Sequence, residues 1–253
     1  MGELVLFERR GDVAVLTLNR ADKRNALNLA LWGELEAHVA AIEALGEAIG
    51  AVVLRAAGPV FCAGNDLKER GAKAPRRDYQ AGIVTRLAQL PQPVIVAVQG
   101  GCFTGGLELA LAGDIILAGE SASFADTHGK FALVPGWGMS QRLPRRVGQA
   151  RALEMMLTCQ PYSGPEAAAM GLVNQCVAAD ELEAAVARLA ATILANSWHS
   201  NAENKRLIYN TDGMRLADGL DHELMRNAGF DRDASARRKG FAERPRSETG
   251  SAD

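Results

Sequence analysis

The chain has 253 residues, 48% of them hydrophobic and 23% charged, which is enough to bury a sizeable core as one large domain or as a domain with an appendage. A formal net charge of −2 gives no general attraction for nucleic acid or for an anionic membrane. No apolar run is long enough to span a bilayer, and the opening Met1–Glu8 is too short and acidic to read as a secretory leader. The four cysteines, Cys62, Cys102, Cys159 and Cys176, have no metal-type spacing and read as reduced, buried residues of a cytoplasmic protein.

Leu4–Phe7 and Val13–Asn19 alternate as paired strands around a turn at Arg10, Gly11 and Asp12. A polar, basic loop, Arg20–Leu27, precedes a helix expected from about Asn28 to Leu45, with Leu31, Leu35, His38, Val39 and Ile42 at helical spacing. His38 reads as a partly covered helix residue and not as a ligand. Ala51–Arg55 is a buried strand that leads into Gly58–Glu69, and Gly71–Tyr79 reads as a mobile loop entering a helix.

Next, a β-branched run, Val94–Val98, predicts a strand buried on both faces. Gly100, Gly101, Gly105 and Gly106 follow, and then an apolar helix whose first turn carries Glu108 between Leu107 and Leu109. A carboxylate among such neighbours is costly unless it has partners or a task. A strand is expected at Asp114–Ala118, followed by a short segment Ser121–Ala125, then helices at Gly138–Val147, Ala150–Leu157 and Pro165–Met170, and a strand at Leu172–Val177. From Asp180 the pattern is helical: Asp180–Asn196, His199–Tyr209, Gly213–Phe230 and Ala234–Glu243, before a tail that reads as disordered. Alternating strands and helices favour an α/β fold. We divide the chain into a core, residues 1–195, and a helical segment, residues 196–253. That segment cannot bury its apolar faces alone, so an oligomer is expected.

Familiar sites are missing. Gly106 is followed by Leu107 and Glu108 and not by the Lys-Ser/Thr of a phosphate loop, Gly136-Trp137-Gly138 does not continue as a dinucleotide fingerprint, and no GxSxG or HExxH occurs. Two turns of small residues remain, Ala63-Gly64-Asn65 and Thr104-Gly105-Gly106. If they converge, their N–H groups form an oxyanion hole for a carbonyl that becomes an enolate. Spacing alone favours the plainer reading, tight turns that need glycine.

Several blocks resemble the signatures of the enoyl-CoA hydratase/isomerase (crotonase) family: Arg20–Leu27, Phe61–Glu69, Gly100–Ala110, Pro135–Leu143, Met155–Thr158 and Ala167–Val173, in the right order. The resemblance implies a crotonase-like spiral of ββα units with a C-terminal helical segment, assembled as a trimer or a dimer of trimers. It implies that the N–H groups of Asn65 and Gly105 polarise an acyl-CoA thioester. Lys23, Arg24 and Ala26 would meet the CoA moiety, Arg237–Phe241 is either a further phosphate contact or a solvated helix end, and Ala63, Asp66, Leu67 and Trp137 count among the substrate contacts. Phe103 is a second candidate for the pocket wall, with core packing favoured. Glu108 matches one of the two glutamates of the hydratases, but the position of the other, four residues beyond Phe124, holds His128. Either His128 assists with water or proton, or it closes the pocket as a structural residue. The expected activity is hydration of a 2-enoyl-CoA, without metal or redox cofactor, coenzyme A being part of the substrate. Isomerisation, thioester hydrolysis and acyl-CoA binding without catalysis are the alternatives.

Overall fold

The sheet begins with a hairpin. β1 (Val5–Arg10) and β2 (Val13–Leu18) pair antiparallel with Val5 opposite Leu18, joined by the two residues Gly11 and Asp12. β3 (Ala51–Ala56), β4 (Val94–Val98), a short β5 (Gly101–Phe103), β6 (Ile115–Gly119), β7 (Ser123–Ala125), β8 (Tyr162–Ser163) and β9 (Gln175–Val177) follow. Six strands form one sheet in the order β1-β2-β3-β4-β6-β9, parallel from β2 onward, and β5, β7 and β8 form a second, small sheet. This computed structural model describes residues 2–69, 75–76, 78–231 and 233–242.

Parallel strands must be covered on both faces, and the sequence supplies the apolar side chains for both. Leu16, Val52, Leu54, Val96 and Ile116 enter one core. Against it lie α1 (Leu29–Leu45), α2 (Tyr79–Gln89), α3 (Gly105–Ala110), α4 (Met139–Val147), α5 (Gln149–Thr158) and α6 (Gly164–Ala169). Val15, Val53, Ile95, Ala97 and Leu117 point the other way, onto α7 (Leu182–Leu194), through Leu182, Ala185, Val186 and Ala190. Helix α1 starts where the Asn28 side chain accepts the Leu31 N–H, and buries Leu31, Trp32, Leu35, Val39 and Ile42 at i, i+3 and i+4 steps.

α8 (Trp198–Thr211) is tied back onto the sheet end. Trp198 Nε1–H donates to Ile49 O at 2.8 Å, and Lys205 Nζ reaches Asp114 Oδ2 at 2.7 Å and Gln92 O at 3.0 Å. The Tyr209 hydroxyl donates to Asp114 Oδ1 at 2.9 Å, while Val94 N–H donates to Asp114 Oδ2 at 2.7 Å. α9 (Leu216–Arg226) buries no residue and presents Leu216, Leu224 and Met225 outward. In α10 (Ala234–Ala242), Arg237 donates to Ala195 O and Asn196 O, so its guanidinium holds this helix to the end of α7.

The α/β architecture is the expected one, with local differences. The glycine stretch holds a strand, β5, because Cys102 pairs with Phe124 and builds the small sheet. The strand expected at Leu172–Val177 is confined to its last three residues, since Leu172 and Val173 donate to Ala167 O and finish the α6 turn. The helix expected at Gly213–Phe230 is shorter at both ends. Cys62, Cys102 and Cys159 are buried as expected, but Cys176 is only half-buried, on the edge strand β9. His38 is half-buried, stacks on Phe7 at 5.5 Å and donates from Nε2 to Val5 O. Most of Gly71–Tyr79 and all of the tail lie outside the described residues.

Candidate active site

The two small-residue turns meet. A Cβ on Gly64 would lie 3.1 Å from Phe103 O and 3.5 Å from Gly105 N, so the first turn sits directly on the second and glycine permits the approach. The loop Arg20–Leu27 lies alongside: Leu27 N–H donates to Gly64 O, Asp66 N–H to Leu27 O and Ala63 N–H to Arg24 O. Asn25, fully buried, pins that loop through its amide, which donates to Ala57 O and Val60 O and accepts Arg20 N–H. Arg20 also closes on Asp66, NH1 to Oδ2 at 2.6 Å, both side chains mostly buried. Lys23 and Arg24 are thereby left exposed on the rim beside the turn, with Ala26 half-buried behind them.

The N–H groups of Asn65 and Gly105 have no acceptor among the described residues, whereas those of Ala63, Asp66 and Thr104 do. Gly105 opens α3, where the first N–H groups of a helix are unpaired and carry positive charge. Thr104, just before it, has φ 52, a left-handed conformation costly for a β-branched residue, at about 1–3 kcal/mol. Its N–H donates to Ala125 O, and its hydroxyl bonds that of Thr127 and accepts the Thr127 N–H. The clasp fixes the glycine turn against the segment that carries His128.

Glu108 is 1% exposed. Its Oε1 accepts Trp137 N–H at 2.7 Å and Met139 N–H at 3.2 Å, and its Oε2 lies 3.7 Å from His128 Nε2. Burial raises the Glu108 pKa above its ordinary 4.5, although the two N–H donors and His128 favour the charge. On the other side of the imidazole, Nδ1 lies 2.6 Å from Asp126 Oδ1. Burial opposes a charge on His128, but Asp126 and Glu108 outweigh it and raise the pKa above 6.5. Three buried groups, Asp126, His128 and Glu108, thus stand in a row.

These residues share one cavity of about 260 Å³, lined by Ala63, Asn65, Leu67, Thr104, Gly105, Glu108, Thr127 and His128, with Phe131, Leu133, Val134, Gly136 and Trp137 as its largely apolar wall. Trp137 packs edge-on against buried Trp32 at 5.0 Å, and Arg142 donates to Trp137 O at 2.8 Å. Of the sequence-derived candidates, the cavity gathers Asn65, Gly105, Glu108, His128, Ala63, Leu67 and Trp137. Lys23, Arg24, Ala26 and Asp66 are outside its lining, and the Asp66 carboxylate is taken up by Arg20 and the Lys68 N–H. Phe103 lays its ring over Gly101 and is not among the residues that line the cavity. Sequence reading missed Asp126, the Thr104–Thr127 clasp and the wall at Phe131, Leu133 and Val134. An acid two residues before His128 was the one visible signal among these.

The fold thus brings two backbone N–H groups without an acceptor among the described residues and a buried acid to one cavity. The family model for enoyl-CoA hydratase/isomerase matches residues 8–247. Enoyl-CoA hydratase of the mitochondrion from Pongo abelii is 36% identical, over 86% of this chain and 77% of its own. The crystal structure of an enoyl-CoA hydratase from Bacillus anthracis superposes with a TM-score of 0.88 at 34% identity, covering 95% of this chain and 96% of that one. A protein from Thermobifida fusca, solved in complex with acetoacetyl-CoA, is 27% identical with a TM-score of 0.81, over 96% of each chain. The chain belongs to the enoyl-CoA hydratase/isomerase family and is an enzyme of that kind. Among the described residues, no helix is long and apolar enough to cross a membrane.

Proposed function

We propose that the protein adds water across the conjugated double bond of a 2-enoyl-CoA thioester. The observation that carries this reading is the convergence, in one cavity, of two unpaired backbone donors with Glu108 and His128. The thioester oxygen lies between the Asn65 and Gly105 N–H groups, which stabilise it as charge grows there; one such donor contributes about 2.7–4 kcal/mol in acyl-transfer enzymes. Glu108 Oε2 and His128 Nε2, 3.7 Å apart, are close enough for one water to touch both. Glu108, ionised, takes a proton from the water as its oxygen bonds to Cβ, and the π electrons move onto the thioester oxygen. The enolate then takes a proton at Cα from the His128 imidazolium. Proton return from Glu108 to His128 resets the pair, so one water is added and nothing else is consumed. No metal or redox group enters the scheme.

The acyl chain lies against Phe131, Leu133, Val134 and Trp137, and exposed Lys23 and Arg24 meet the CoA phosphates at the rim. The exposed apolar residues of α9 support assembly with further copies of the chain, as a trimer or a dimer of trimers. Four free thiols fit a reducing, cytoplasmic setting. The test follows the enoyl-thioester absorbance of crotonyl-CoA and related thioesters with a thiol reagent present. Loss of absorbance without thiol release supports hydration; stoichiometric thiol release assigns thioester hydrolysis instead.

A further inference from the structure

We propose that Asp126, through its contact with His128, is a positioning residue of this site: it fixes the imidazole with Nδ1 protonated and Nε2 facing Glu108. The inference rests on the hydration reading above and extends it to a residue outside the cavity lining. Asp126 is 1% exposed, and a buried carboxylate needs a partner. Its Oδ1 has two, the ring Nδ1 at 2.6 Å and the His128 N–H at 3.1 Å. A carboxylate at Nδ1 can only accept, so that nitrogen carries hydrogen and Nε2 is the atom that exchanges a proton with the reacting groups. The charged groups facing the ring are Asp126 on its own segment and Glu108 from α3; Arg142 of α4 lies beyond, close enough to feel the charge of Glu108. Two acids flanking one imidazole let it hold a proton inside an apolar wall. The dyad thereby takes the place that a second carboxylate would fill, which a lone histidine could not do.

A purely structural reading makes Asp126 the acceptor that closes the turn into the short 3₁₀ helix His128–Phe131. Asp126→Asn separates the two, because asparagine still accepts the backbone N–H but removes the charge. The chain has four histidines, so ¹⁵N imidazole spectra can be assigned with a His128→Gln variant. In the wild type the His128 signals should show Nδ1–H at every pH below and above the titration, which needs no variant to fold. In Asp126→Asn the titration midpoint should fall by about one pH unit or more, and kcat for enoyl-CoA hydration by about a hundredfold with KM little changed. In a His128→Gln background the same change should add almost nothing. A wild-type Nε2–H tautomer, an unmoved midpoint in Asp126→Asn, or an equal further loss in the His128→Gln background overturns the proposal. Wild-type protein inert towards every 2-enoyl-CoA removes the hydration reading and the catalytic role together, whereas an unmoved titration removes the role of Asp126 alone.

Discussion

Gly105→Ala perturbs the proposed oxyanion site by a single methyl group. A Cβ built at this position lies 3.1 Å from Trp137 Cε3 and 2.3 Å from Cζ3, the latter more than an ångström inside ordinary carbon contact. Trp137 cannot simply recede, because it packs on fully buried Trp32 and its carbonyl is held by Arg142. Either the indole or the first turn of α3 must move, and the second choice shifts the Gly105 N–H itself. Overpacking of this sort costs about 1–3 kcal/mol of stability. Misplacing one oxyanion donor costs about 10²–10³-fold in rate. Steady-state kinetics on the best enoyl-CoA substrate should therefore show kcat down by at least about a hundredfold, in a protein that still melts cooperatively. Gly33→Ala on α1 is the control: its Cβ would sit 3.7 Å from the Tyr79 hydroxyl, and the substitution should stabilise the helix by up to about 1 kcal/mol with activity intact. Gly105→Ala with kcat within threefold of wild type would refute the placement of the oxyanion hole.

Asp114→Ala removes the carboxylate that meets Lys205, Tyr209 and the Val94 N–H at once. It leaves a buried ammonium that keeps Gln92 O and the Tyr209 ring but has lost its counter-charge, which should lower stability in urea by about 3–5 kcal/mol; a loss below about 1 kcal/mol would mean α8 is anchored elsewhere. The pH profile of kcat should be bell-shaped, since Glu108 must be ionised and His128 protonated. The acid limb should lie above 4.5 and the alkaline limb above 6.5, as burial raises the first pKa and the two flanking acids raise the second. An alkaline limb below 6.5 contradicts the pairing with Asp126. Stability follows from the same shift. The folded chain holds the Glu108 proton to higher pH than the unfolded chain, so this contribution is full below 4.5 and is lost as pH rises through the folded value. Glu108→Gln, with no proton to lose, should consequently melt no lower than wild type at neutral pH.

The parallel strands were legible because residues such as Val94–Val98 are apolar on both faces, and α1 because Leu31, Leu35, Val39 and Ile42 keep helical spacing. The gathering of Asn65, Gly105, Glu108, His128 and Trp137 followed from family resemblance, since spacing left Ala63-Gly64-Asn65 as an ordinary turn. What escaped was tertiary. β5 exists only because β7 lies beside it, and three residues carry too little pattern to announce a strand. Asp126 reads as one acid among 30 Asp and Glu residues until the 3₁₀ turn folds His128 back onto it. Thr104 looks unsuited to a left-handed position, and only its clasp with Thr127 explains how it is held there. Contacts between Lys205 and Asp114, or between Trp198 and Ile49, join residues far apart in the chain and have no periodic signature.

In the proposed reaction Glu108 is the base that activates water. The role is probed by mixing crotonyl-CoA with the wild-type protein and with Glu108→Gln at equal enzyme concentration and following the enoyl-thioester absorbance. Rapid loss is expected with the wild type and at least about a hundredfold less with the variant, which should still bind CoA thioesters. Glu108→Gln turning over at a rate close to wild type would contradict it.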